Sequence, residues 1–384
     1  MEEYEYTSNG GIEGDLARIL GEPLEFKLDE VEFNQEILPP QAILELRENP
    51  PFLVEMLQRI DDMEEYAQNR GTMGLDFGIQ SLNKAFNGLN PGLTLVAGPS
   101  NTGKSMLLLE IMRRVIANNQ YQNEDHPKKA YCIYFSLDDS RNELLPRMMA
   151  SDQRITINQA LFPKTLVDKP VILEKRQQGL LNLKKNAPFF TMYDATDCQH
   201  IQDIEAVLRR HYTELETLFP GEYQIVAFID NFHDVTYKME GNGFMEENQK
   251  YDYTSGRLGE LAVELDLPIL CSAELKKSNV MKRNTLEDVK SSGKIVYEAK
   301  GIILLFNEVG VKNDSADIYW EMASAGDSPY GDAKRKMPIL EMHVAKNKFS
   351  EFKGRCFLKF IPEMASFMEP SDEEEQLIRE MVRG

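Results

Sequence analysis

The stretch LTLVAGPSNTGKSMLLLEIMRRVI, residues 93–116, decides the fold. A short, largely apolar run, Leu93 to Ala97, leads into Gly98-Pro99-Ser100-Asn101-Thr102-Gly103-Lys104-Ser105, and an apolar-periodic run follows at once. The pattern is strand, G-x-x-x-x-G-K-S loop, helix. Glycines let the backbone curl so that its N–H groups face phosphate oxygens. A helix beginning near Gly103 adds the positive end of its dipole. Lys104 would reach the β- and γ-phosphates, and the Ser105 hydroxyl would ligate Mg²⁺. The stretch therefore predicts a phosphate-binding loop for ATP and magnesium.

Outward from that loop, short apolar runs alternate with helical patterns. AYCIYFSL (130–137), PFFTMYD (188–194), IVAFID (225–230), PILCSA (268–273) and GIILLF (301–306) are apolar almost throughout. Continuous apolar strands are buried on both faces, as in a parallel sheet covered by helices. ILEMHVAK (339–346) and RCFLKFI (355–361) read as further strands. The predicted fold class is α/β, a phosphate-loop core with a mostly parallel sheet and extra strands at its C-terminal end.

Such a loop needs an acidic partner for the magnesium shell, and IVAFIDN supplies Asp230 at a buried strand's end. A second acid follows the strand in AYCIYFSLDDSRNELLPRMM. Ser140 and Glu143 form a capping box there, so the cap does not require Asp138. Asp138 is then free to orient or deprotonate an attacking water, with Asp139 as the other contender.

The totals bound the rest. A chain of 384 residues with 42% hydrophobic and 28% charged residues can bury a sizeable core. Cys132, Cys198, Cys271 and Cys356 form no CxxC pair, which argues against a zinc ribbon or disulfide framework and for a reducing compartment. The first residues lack the pattern of a signal peptide, and no apolar run nears the ~20 residues that span a bilayer. The expectation is a soluble, cytoplasmic protein. The net charge of −20 is concentrated at the ends: residues 1–40 carry −9 and residues 361–384 carry −5, leaving −6 for the middle. A basic groove in that middle is compatible with these totals.

The predicted organisation is an acidic N-terminal arm (1–50), a linker helix (51–70), the main domain (71–361) and an acidic C-terminal tail (362–384). The linker carries Leu53, Met56, Leu57, Ile60 and Met63 on one helical stripe, suited to its own domain or to a neighbouring subunit. Ser371 and Glu374 signal a short terminal helix within the tail.

From about residue 52 to 361 the sequence resembles the C-terminal motor domain of DnaB-type replicative helicases, ring ATPases of the RecA fold. The motifs, in order, are DFGIQSLNKAFNGLNPGLTLVAGPSNTGKS, YFSLDD with ELLPRMMAS, FIDNFHDV, GRLGELAVELDLPI, LEDVKSSGKIVYEAKGIILLF and HVAKNK. The resemblance implies that Lys104 and Ser105 bind phosphate and metal and that Asp230 is the Walker B acid. It puts Asp138 in the place of a catalytic glutamate and Glu274 in that of a γ-phosphate sensor. Lys346 and Lys348 stand where a lysine and an arginine finger reach a neighbour's ATP. Lys290, Ser291 and Gly293, with Lys277 nearby, match a loop that holds single-stranded DNA. Implied partners are a homo-oligomer, a hexameric ring, with single-stranded DNA in its pore and replication proteins on the acidic tails; no membrane is implied.

Departures from the family pattern accompany the match. Asp138 is a methylene shorter than glutamate, Glu274 would set negative charge near a γ-phosphate, and Lys348 lacks arginine's planar fork. Ser291 gives Lys290 no acidic partner. The family's N-terminal primase-contacting domain has no counterpart in the acidic first 50 residues, so a reduced, single-motor relative is expected. The leading expectation is an ATP-dependent helicase or translocase on a single strand. The alternatives are an accessory ATPase of the same fold that assembles with protein partners without unwinding DNA, and a recombinase-like filament former.

Overall fold

The computed structural model describes residues 73–120, 128–238, 246–276, 283–290, 293–322 and 335–383. The predicted arm and linker helix, Lys277 and Ser291 lie outside these residues. In chain order the regular elements are α1 (Gln80–Phe86), β1 (Gly92–Gly98), α2 (Lys104–Asn118), β2 (Lys129–Ser136), α3 (Arg141–Gln153), α4 (Ile157–Leu161), α5 (Pro170–Asn186) and β3 (Phe190–Asp194). They continue with α6 (Ile201–Leu218), β4 (Tyr223–Asp230), α7 (Glu247–Glu264), β5 (Pro268–Glu274), α8 (Gly293–Glu298), β6 (Gly301–Asn307) and α9 (Glu308–Lys312). The last are β7 (Tyr319–Met322), β8 (Arg335–Asn347), β9 (Gly354–Ile361), β10 (Ser366–Met368) and α10 (Asp372–Arg383).

The strands form one sheet in the order β10-β9-β8-β6-β1-β5-β4-β2-β3, with β7 paired to β8. All six apolar runs from β1 to β6 pair in parallel. β8, β9 and β10 extend the sheet antiparallel beyond β6. The parallel strands bury alternate residues in two cores, as a period-two backbone requires. Val226 and Phe228 of β4 join the helices α2 and α3 on one face, while Ile225, Ala227 and Ile229 join α6 and α7 on the other. Two buried faces explain why these runs carry almost no polar residues.

Within α2 the buried Glu110 breaks the apolar face, and its partners explain it. Arg113 and Arg114 donate to its carboxylate, Arg114 at 2.6 Å, and the Ser151 hydroxyl donates at 2.6 Å. Burial pushes the carboxyl up, but these charged partners outweigh it and hold it below the usual range. Arg114 also donates to the carbonyls of Gly78 and Phe367. The helix behind the loop is thus fastened at once to the segment before α1 and to β10.

The segment 362–384 carries β10 and the terminal helix that Ser371 and Glu374 signalled. β10 pairs with β9, and α10 sets Ile378 against Ile318, Ile339 and Phe357. Burying that side chain contributes about 1.5–3 kcal/mol. Lys359 grips Glu374 at 2.8 Å. The capping box of Ser371 and Glu374 opens this helix. Among the described residues no helix is long and apolar enough to cross a membrane.

Candidate functional site

The carboxyl ends of β1, β2, β4, β5 and β6 lie on one edge of the sheet, where open parallel sheets bind ligands. A cavity of about 610 Å³ opens there, within the usual range for a small-molecule site. Ser100, Asn101, Gly103, Lys104 and Ser105 line one part of it, and Asp138, Asp230, Asn231 and Glu274 another. β8 runs antiparallel to β6, so its N-terminal residues Arg335, Lys336 and Pro338 reach the same edge. So do Asn307 at the tip of β6 and Phe360 near the end of β9.

The loop after β1 has the curled backbone expected of its glycines. Gly103 has φ of +102°, and a Cβ there would lie 3.3 Å from the Phe360 ring. The conformation therefore favours glycine, and a Cβ would also crowd the ring. Thr102 closes the turn through its hydroxyl, which donates to the Pro99 carbonyl. The first intrahelical bond runs from the Leu107 amide to the Gly103 carbonyl, so the first-turn amides of α2 have no helical partner. The Lys104 ammonium donates to the carbonyls of Gly98 and Pro99, at 2.9 and 3.0 Å. Burial lowers its pKa, against the pull of Glu274, Asp230 and Asp138.

Asp230 is 4% exposed and held by two hydroxyls. Tyr134 donates to one carboxylate oxygen at 3.0 Å, and Ser272 donates to the other. Burial and the adjacent Asp230 push the Tyr134 phenol well above its ordinary value, so it remains a donor. Ser105 offers a hydroxyl and Asp230 a carboxylate to the cavity, beside the oxygen groups of Ser100, Asp138, Asp139 and Glu274, and oxygen donors of this kind suit a hard divalent cation. Among the described residues no cluster of three His, Cys, Asp or Glu side chains could hold a metal unaided.

The two adjacent acids separate. Asp139 is held by Arg147 at 2.5 Å, and its carbonyl accepts from the Ser136 hydroxyl at 2.6 Å. Asp138 is exposed, lines the cavity and makes no ion pair among the described residues. The capping box joins Ser140 and Glu143 as read, leaving Asp138 outside it. Glu274 faces the cavity with its carboxylate 3.4 Å from the Lys290 ammonium. The Lys290 ammonium thus offsets part of the Glu274 charge.

Lys346 and Lys348 are not in this cavity. Gly301 pairs with Asn347, so both lysines sit at the amino edge of the parallel strands, the far edge of the sheet. Lys346 donates to the carbonyls of Val296 and Tyr297, capping the C-terminus of α8 at 2.6 and 2.9 Å. Lys348 is exposed, with its ammonium 5.9 Å from the Tyr297 ring centre. Gly293 begins α8.

Sequence reasoning missed Arg147, Asn307, Arg335, Lys336 and Phe360. Asn307 had a usable signal, because it ends a parallel strand neighbouring β1. Arg335 and Lys336 stand in a basic run ahead of a strand whose direction the sequence does not print. Phe360 is one apolar residue in an apolar strand and carried no signal.

The sheet order, the curled loop at the carboxyl edge and the strand-end acid define a RecA-like phosphate-loop core. The family described as "DnaB-like helicase C terminal domain" matches residues 74–369, and the chain belongs to it. Replicative DNA helicase DnaB of Buchnera aphidicola subsp. Schizaphis graminum is 26% identical over 249 residues, covering 62% of this chain and 48% of the relative. A probable replicative DNA helicase of Trieres chinensis is 23% identical over 300 residues, covering 77% of this chain and 57% of the relative. The chain therefore spans about half the length of these relatives. Among solved structures, the ATPase domain of G40P superposes with a TM-score of 0.67 at 18% identity, covering 84% of this chain and all of that domain.

Proposed function

We propose that this chain is the motor of an ATP-dependent DNA helicase or translocase that works as a homo-oligomeric ring, six subunits in the family's pattern, on single-stranded DNA. The observation that carries the reading is the convergence of Lys104, Ser105, Asp230 and Asp138 on one cavity at the carboxyl edge of the sheet. The fit to magnesium nucleotide is favourable. The first-turn amides of α2 offer donors to phosphate, and Lys104 has only loop carbonyls to give up. Bound there, magnesium ATP would bring the reactive γ-phosphate and its own charge neutralisation.

In this reading the residues Gly98, Pro99, Ser100, Asn101, Thr102, Gly103, Lys104 and Ser105 cradle the phosphates, and Ser105 and Asp230 hold the metal. Tyr134 and Ser272 keep the Asp230 carboxylate aimed. Asp138 orients the water and accepts its proton. Lys348 reaches a neighbour's nucleotide from the far edge of the sheet, while Lys346 steadies the segment that carries it. Lys290, with Lys277, Ser291 and Gly293, contacts the DNA backbone, and the acidic ends of the chain are contacts for replication proteins.

Asp138→Asn should bind ATP as wild type does yet hydrolyse it at least ~100-fold more slowly, the scale of a lost general base. Asp139→Asn should lose stability through Arg147 but turn over within a few-fold. The reverse ranking in a steady-state phosphate-release assay would move the water-activating role to Asp139.

The DNA half of the reading is tested by salt. Lys290→Ala should bind oligothymidylate more weakly and flatten the slope of log K against log[salt] by roughly one phosphate contact. Fluorescence anisotropy at several salt concentrations, with ATP analogue present, reads both. No binding by wild type at low salt would overturn the helicase reading.

A further inference from the structure

His233 lies three residues beyond Asp230 and is 7% exposed. Its ring touches two backbone groups that flank the 277–290 segment. The Glu274 amide donates to Nδ1 at 3.2 Å, and Nε2 lies 2.6 Å from the Lys290 carbonyl. An amide can only donate and a carbonyl can only accept, so Nδ1 is bare and Nε2 carries the proton. Burial pushes its pKa down, in keeping with a neutral ring.

The groups on either side of the ring are also joined to each other. The Lys290 amide donates to the Glu274 carbonyl at 3.0 Å, the Lys276 amide donates to the Asp288 carbonyl at 2.7 Å, and Leu275 bridges Val289. The Lys290 ammonium meets the Glu274 carboxylate. Behind the ring, the His233 amide donates to the Asn231 side chain at 2.7 Å, and Asn231 lines the cavity. Edge-on contacts with Phe232 and Tyr251, at 5.3 and 5.1 Å between ring centres, fix the imidazole plane. The imidazole therefore joins the cavity residue Glu274 to the root of the segment read as contacting DNA, and the backbone amide of the same residue holds Asn231 at the end of the strand bearing Asp230.

We propose that His233 is a positioning residue that transmits nucleotide occupancy from the cavity to the Lys290 segment. Movement of Asn231 or Glu274 toward bound nucleotide must carry the imidazole, and the imidazole holds the Lys290 carbonyl. No bond is made or broken in this step; two hydrogen bonds on a rigid ring translate together. His233→Ala cuts the linkage, whereas His233→Gln keeps a donor and an acceptor on a longer arm. The inference rests on the proposed nucleotide site, and its link to DNA rests on the proposed role of Lys290.

Amide hydrogen exchange on the full chain, with and without a non-hydrolysable ATP analogue and magnesium, tests it. In wild type the analogue should slow exchange by about tenfold or more both at residues 98–105 and at 284–290. His233→Ala should keep the first effect and lose the second, and His233→Gln should recover at least half of it on a logarithmic scale. Slowing at 284–290 in His233→Ala equal to wild type would overturn the proposal, as would no response there in wild type. Loss of protection at 98–105 in both variants, with a lowered Tm, would mean a merely structural histidine. No protection at 98–105 in wild type would sink the nucleotide reading and this inference with it. A normal exchange pattern in a chain that binds no oligothymidylate would refute the DNA reading and leave the role of His233 standing.

Discussion

Lys104→Ala should bind ATP weakly and lose hydrolysis by about 10²–10³-fold or more, the scale of removing one charge aimed at the transferring phosphoryl group. The expectation comes from what the other cations in the cavity are doing. Arg147 is held by Asp139, Arg335 by Glu363, and Lys336 by the carbonyls of Asp314 and Ala316. Lys104 holds only two carbonyls of its own loop, at 2.9 and 3.0 Å, which phosphate oxygens would replace. Three carboxylates, Glu274, Asp230 and Asp138, pull on it through the cavity, so its removal also leaves their repulsion uncompensated. Asp230→Asn makes the companion variant. An amide can still accept from Tyr134 or donate to the Ser272 oxygen, so the fold should persist with a Tm near wild type. Its Mg²⁺-dependent turnover should nevertheless fall as far as that of Lys104→Ala. Nucleotide affinity and phosphate release, measured on both, decide the matter. Hydrolysis near the wild-type rate in Lys104→Ala would remove the basis for an ATPase.

Most of the fold was legible because its signal is local. A strand buried on both faces must be apolar at every position, and β1, β4 and β6 print that requirement directly in LTLVA, IVAFID and GIILLF. The loop between β1 and α2 was equally plain, since both its backbone and its ligand chemistry demand fixed residue types. Strand direction was not legible. A strand of β8's composition pairs equally well either way, and the register that runs from Gly301–Asn347 to Asn307–Leu340 shows it antiparallel. That direction brings Arg335 and Lys336 to the cavity and carries Lys346 and Lys348 away from it.

The site divides along the same line. Glu274 came only with the resemblance, whereas Asp230, at the tip of its strand, could be read from the strand end alone. The choice between Asp138 and Asp139 could not, because it depends on Arg147, which approaches from the next helix. The pairing of Lys290 with Glu274 also escaped the sequence, which offered Ser291 as the neighbour lacking charge. Sixteen positions separate the two partners, and a backbone bridge between Leu275 and Val289 brings them together. Both surprises are long-range contacts, which periodicity and spacing do not encode.

The placement of the lysines at the far edge of the sheet supports the last expectation, which concerns assembly. A side chain at the amino edge cannot serve a nucleotide at the carboxyl edge of its own subunit. In a head-to-tail interface it can serve its neighbour's, because such an interface joins two different surfaces of the same molecule. Lys348 is the better finger of the pair, being exposed, while Lys346 is engaged with the end of α8. Lys348→Ala should therefore bind ATP and fail to hydrolyse it, and Lys104→Ala should fail for the opposite reason. Mixed one to one, the two inactive proteins should regain activity. Wherever a Lys348→Ala subunit presents its intact loop to a Lys104→Ala neighbour, loop and finger are both complete, and random mixing makes roughly a quarter of interfaces so. Titrating one variant into the other and following phosphate release gives the result. Zero recovery at every ratio, in mixtures shown by sedimentation to co-assemble, would place the finger elsewhere. An active Lys348→Ala protein on its own would show that hydrolysis does not need this lysine.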